Sequence, residues 1–202
     1  MEHKGDYGCD YKSHPPLDHS KSVNDFKSMG IPILAPYLGD SRKSMNMGEF
    51  TVKPFDLTTV DGRWTHTDAN GEPCPIYGFL ITHEEMGRML YITDCELIKW
   101  KFRDINHILL GVNYDKDLVD KDNDPKTRHV FRGHLSIDTA CDFVKANYSD
   151  SLQNVIMCHL SSENSDRDSF IEKMKNAVNG ANVDVEESKK KWVLRKGDKQ
   201  TF

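Results

Sequence analysis

The chain has 202 residues, a formal net charge of −5, and 37% hydrophobic against 29% charged residues, which describes one soluble globular domain able to bury a core of its own. The acidic balance argues against a broad grip on a nucleic-acid backbone, which needs clustered Lys and Arg. No apolar run approaches the roughly 20 residues that span a bilayer.

The cysteines Cys9, Cys74, Cys95, Cys141 and Cys158 are odd in number and form no CxxC pair, so a disulfide framework is not expected and a reducing compartment is. The opening MEHKGDYGCDYKSHPP is polar and lacks the apolar centre of a signal peptide, and the expected location is therefore cytoplasmic, away from membranes.

In chain order, residues 1–13 are polar and irregular. Ser20 to Met29 carries Val23, Phe26 and Met29 at helical spacing, with Gly30 suited to its end. IPILAP reads as a short buried strand, and Phe50 to Leu57 as a second in which Pro54 argues for an edge or a bulge. Thr58 to Pro75 is a long polar loop with Asp61-Gly62 and Asn70-Gly71 turn signals. IYGFLIT and RMLYITD read as two strands joined by a turn at Met86-Gly87, and HILLGVNY as a further strand. From Leu135, the residues Ile137, Ala140, Cys141 and Val144 share one helical face, with Ser136 or Asp138 as the cap. NVIMCHLS is a buried strand. Asp166 to Asn179 is an amphipathic helix with Phe170, Met174 and Val178 spaced by four, ANVDV is a last strand, and residues 190–202 form a basic tail. Strands alternating with helices indicate a single α/β domain over residues 1–202.

Four of the nine histidines, with particular aspartates, fall where a strand or loop ends. His14 and Asp18-His19 lie in HPPLDHS, His66 in the loop before IYGFLIT, Asp94 at the end of RMLYITD and His159 at the end of NVIMCHL. Metal sites in layered α/β folds are built at such edges, and imidazole nitrogen with carboxylate oxygen suits zinc, iron or manganese. Each residue also has a plainer reading: Asp18 or Ser20 could cap the following helix, Asp94 the following turn, and His134 could bond backbone at a helix start.

These segments resemble, in order, the motifs of the metallo-β-lactamase fold of metal-dependent hydrolases. HPPLDHS is similar to its His-x-His-x-Asp-His signature, and WTHTDANGEPCPIYGFLI to the segment carrying the third ligand histidine in the nuclease and phosphodiesterase branches. YITDC resembles the strand that ends in the metal-bridging aspartate, and CHLSSENSD the one that ends in the last histidine. The resemblance runs from residue 14 to about 166 and implies a four-layer αββα sandwich with two divalent ions, zinc first and manganese or iron as alternatives. It implies that His14 and His66 hold one ion, that Asp18, His19 and His159 hold the other, that Asp94 bridges them, and that Asp18 orients the attacking water. GHLSIDTAC resembles a histidine segment of the tRNA 3′-processing branch, which implies that His134 protonates a leaving oxygen.

The chain departs from the family pattern twice. Pro16 stands where the signature has its second histidine and offers a metal no side-chain lone pair, which weakens the first ion site. Only thirteen residues precede His14, so the first strands of the sandwich are expected to be missing, and the apolar face this exposes favours a homodimer. The implied function is hydrolysis of a phosphodiester in a small nucleotide or nucleic-acid end. The alternative is a catalytically degenerate member that acts as a nucleotide-binding or interaction module.

Overall fold

The computed structural model describes residues 44–59, 61–64, 66–67, 73–74, 76–119, 133–186 and 191–197. Nine strands and two helices lie in this part: β1 Met45–Met47, β2 Phe50–Asp56, β3 His66–Thr67, β4 Pro73–Cys74, β5 Tyr77–His83, β6 Gly87–Ile92, β7 His107–Gly111, α1 Ile137–Ala146, β8 Asn154–Cys158, α2 Arg167–Ala177 and β9 Asn182–Val185. Seven strands form one sheet in the order β1-β2-β5-β6-β7-β8-β9, and β3 pairs with β4 alone. That small pair lies inside the stretch expected to be a polar loop. The expected helix at 20–29 and the IPILAP strand fall outside the described residues.

The sheet changes character at β6. From β1 to β6 neighbouring strands run antiparallel; from β6 to β9 they run parallel. Parallel neighbours need crossover connections, and α1 and α2 supply those from β7 to β8 and from β8 to β9. The strands of the parallel half are short and almost continuously apolar, and β8 is buried at all five positions, the pattern of a sheet covered on both faces. Pro54 sits in β2 beyond the reach of β1, which pairs only with Phe50 to Val52, so its missing N–H breaks no ladder on that side.

Register builds the core in two rows across the parallel strands. Leu90, Ile108, Val155 and Val183 stand side by side, as do Ile92, Leu110, Met157 and Val185, and all eight are buried. The helices pack on this face and on each other. α1 contributes Ile137, Ala140, Cys141 and Val144, the face read from its spacing; α2 contributes Phe170 and Met174, with Val178 just past its end. Ser136, not Asp138, is the N-cap of α1, accepting from the Thr139 N–H; Asp166 caps α2 through the Ser169 N–H. On the opposite face Trp192 Nε1 donates to Asp184 at 3.2 Å, and the Lys196 N–H donates to the Glu85 carbonyl at 2.6 Å, so residues 191–197 lead from β9 to the β5–β6 turn.

That turn needs Gly87. Its φ is +81°, and a Cβ there would collide with the side-chain oxygen of Asn106, which accepts the Arg88 N–H at 2.9 Å. His107, 1% exposed, fixes the same region. The Met86 carbonyl lies 3.0 Å from its Nε2 and can only accept, so Nε2 carries the hydrogen and Nδ1 accepts from the Asn154 amide at 2.9 Å. Burial lowers the His107 pKa below 6.5, and the Met86 contact offsets only part of that. The unfolded chain therefore binds this proton more readily than the folded one. The stability is complete above pH 6.5 and is lost as pH falls from there through the folded value. Denaturant midpoints measured from about pH 8 to 5 should show this decline, and His107→Gln, less stable throughout, should lose that part of the slope. An unchanged slope would mean that other groups produce it.

Candidate metal centre

Parallel pairing sets the site. Continuing the register past the strand ends places Asp94, Val112 and His159 in one row at the carboxyl edge of β6, β7 and β8. Asp94 and His159 are thus two strand spacings apart, about 9–10 Å along the row, and their side chains meet across Val112. Both residues leave their strands through left-handed backbone, with φ of 46° for Asp94 and 63° for His159; among the described non-glycine residues only Asp104 shares a positive φ. Such conformations cost roughly 1–3 kcal/mol each and cluster where a site needs a side chain aimed against the run of the strand. Gly111 allows the close approach this requires. A Cβ on it would stand 3.1 Å from Thr93 Cα and 3.4 Å from the Asp94 nitrogen.

The third member arrives by a different route. Beyond β7 the chain runs on beside the segment leading into α1: the Asn113 N–H donates to the Leu135 carbonyl and the Ile137 N–H to the Tyr114 carbonyl, each at 2.9 Å, around a parallel bridge between Tyr114 and Ser136. His134 is thereby carried to the same edge. Its Nδ1 lies 3.3 Å from Asp94 Oδ1, and His159 Nε2 lies 2.8 Å from that same oxygen. The two imidazole centroids are 5.3 Å apart. Asp94 is 5% exposed at its side chain, His134 16% and His159 40%, so the carboxylate forms the floor and His159 the rim.

One ligand atom from each of the three lies within 4.8 Å of the others. Ligand atoms about 2.0–2.2 Å from a zinc ion stand about 3.3–3.5 Å from one another in a tetrahedron; His134 Nδ1 is at that spacing from Asp94 Oδ1, and His159 Nε2, at 2.8 Å, would draw back by about half an ångström to share a divalent cation. The flanking thiols do not join them. Burial pushes Cys95 and Cys158 each up to about 12, and neither sulfur is among the atoms that converge on the cluster. That agrees with their reading as small buried hydrophobes.

By sequence the chain matches no protein-family model and no curated protein at significance. By structure it resembles the metallo-beta-lactamase fold protein YhfI from Bacillus subtilis, with a TM-score of 0.50 and 14% identity over 84% of this chain and 59% of that one. It also resembles an isothiocyanate hydrolase from Delia radicum gut bacteria, with a TM-score of 0.50 and 10% identity over 87% of this chain and 66% of that one. The chain has the metallo-β-lactamase fold. It spans less than two thirds of either neighbour's length, and likeness at this identity carries the architecture alone.

Within that fold, Asp94 and His159 occupy the strand-end positions that the motifs implied, and the structure brings them together. It also brings in His134, expected as a proton donor, at a distance that makes it a third candidate ligand. His66 stands in β3 opposite Cys74, and its ring is outside the description. His14, Asp18, His19 and Pro16 lie outside the described residues. Of the αββα layers, the described residues supply one large sheet and the helical layer on its core face. Asn113, which no motif assigned a role, donates from Nδ2 to the His159 carbonyl at 2.9 Å. Among the described residues, no helix is long and apolar enough to cross a membrane.

Proposed function

We propose that the chain is a metal-dependent hydrolase whose Asp94, His134 and His159 hold a divalent ion, zinc before manganese or iron, and which cleaves a phosphodiester in a small nucleotide or at a nucleic-acid end. The observation that carries the metal reading is the meeting of these three side chains from separated segments, two of them on left-handed backbone. Support for the ester class is the likeness of YGFLI, GHLS and CHLSSEN to the nuclease and phosphodiesterase branches, and the acidic net charge favours a short or small substrate. In the two-ion form of the same proposal, His14 and His66 hold a second ion, Asp18 and His19 join His159, and Asp94 bridges.

Asp94 anchors the site. One oxygen of its buried carboxylate lies 3.3 Å from His134 Nδ1 and 2.8 Å from His159 Nε2, and His159 is the most exposed of the three. When bound, a divalent ion supplies Lewis acidity toward a phosphoryl oxygen and makes water a nucleophile near neutral pH. His134 acts as a ligand in this proposal because its Nδ1 already faces Asp94.

Metal content of the purified protein, and turnover of generic phosphodiester reporters with zinc, manganese or iron, test the proposal. His134→Ala should lose both ion and turnover. If it keeps the ion and loses only rate, His134 is the donor of a proton to the leaving oxygen. Nucleotide binding without turnover would favour the degenerate binding module, and a wild-type protein with neither ion nor hydrolysis would overturn the reading.

A further inference from the structure

We infer that Asn113 is a positioning residue that holds both histidine-bearing segments of the metal centre in place; the inference rests on the proposed function above. Three of its polar groups grip residues at or beside the two histidines. The backbone N–H donates to the carbonyl of Leu135, next to His134, at 2.9 Å, and the backbone carbonyl accepts from Ser161, two residues past His159, also at 2.9 Å. Nδ2 of the side chain donates to the carbonyl of His159 itself at 2.9 Å.

The last contact answers a specific structural problem. The β7–β8 ladder continues to the Val112 N–H, which donates to the Cys158 carbonyl at 2.8 Å. One residue later His159 turns left-handed, with φ 63°, and its carbonyl leaves the ladder. Left-handed backbone at a residue other than glycine persists where surrounding contacts fix it, and the Asn113 amide is such a contact, made to the peptide that sets the direction of the His159 ring. Outer contacts of this kind orient a metal ligand without touching the ion, and their loss typically weakens ion binding by about 10–100-fold.

Asn113→Asp isolates the side-chain contact. It keeps the shape of the residue and both backbone hydrogen bonds, removes the N–H donor, and sets a carboxylate oxygen against the His159 carbonyl. Asn113→Ala removes the contact without adding charge. Cobalt(II) and zinc(II) affinities by competition with a chromophoric chelator, the visible spectrum of the cobalt form, and the melting temperature in excess chelator are to be measured for wild type and both variants. The expected result is affinity reduced by about 10–100-fold in both variants, an altered cobalt spectrum, and a metal-free melting temperature close to wild type. Wild-type affinity and spectrum in both variants would overturn the inference alone. So would a metal-free melting temperature that falls far enough to account for the lost affinity, since Asn113 would then serve the fold generally. A wild-type protein that binds neither metal would overturn the metal centre, and this inference with it.

Discussion

Asp94→Ala is expected to leave the purified protein without divalent metal above background and to lower hydrolytic turnover by on the order of a thousandfold or more. Asp94 Oδ1 is the atom that both rings share, 3.3 Å from His134 and 2.8 Å from His159, so its removal leaves two imidazoles with nothing between them. Lewis-acid stabilisation of transition-state charge is worth several kcal/mol, and each 1.36 kcal/mol is about tenfold in rate, which gives the expected scale. Asp94→Asn should behave similarly, because it keeps the volume but replaces the carboxylate with a neutral amide. The fold should survive both changes, since the side chain lies at the sheet edge outside the two core rows. Elemental analysis beside the far-ultraviolet spectrum measures both. A folded Asp94→Ala protein with the wild-type ion content would place the metal elsewhere.

Phe170→Ala is expected to have the largest effect on stability. The ring is fully buried near the start of α2, and the core around it contains α1, α2 and the parallel strands. Truncating a buried phenylalanine costs about 3–5 kcal/mol, part lost transfer energy and part cavity, against a total stability of about 5–15 kcal/mol for a typical domain. The urea midpoint should fall accordingly, with the transition slope unchanged. A loss below about 1 kcal/mol would mean that the site collapses around the smaller side chain, contrary to tight packing at this position.

Legibility in the sequence followed the physical origin of each feature. The parallel strands were readable because burial on both faces makes them nearly continuous apolar runs, and the buried faces of α1 and α2 because helical spacing puts Ile137, Ala140, Cys141 and Val144, or Phe170 and Met174, on one side. Asp94 and His159 stood out as polar residues closing such runs. The sequence marks His134 as a candidate, but its approach to Asp94 depends on the Tyr114–Ser136 bridge, which no local pattern announces. The contact of Asn113 is illegible for the same reason: its side chain meets a backbone carbonyl 46 residues away, and backbone partners leave no trace in residue type. β1, β3 and β4 are two or three residues long, too short for alternation to show.

The row of Asp94, Val112 and His159 also bears on when the proposed centre could take up an ion. The three candidate ligands enter from β6, from the segment before α1 and from beyond β8, pieces that become neighbours only after two crossovers have closed. Pairing of that range is slow to form, and a half-assembled chain offers no pocket for a cation. Occupancy of the proposed centre would therefore be a privilege of the finished sheet. By mass action, free ion at a hundred times its dissociation constant would deepen the native well by about 2.7 kcal/mol, so the cation would rivet three segments together as well as arm them for chemistry.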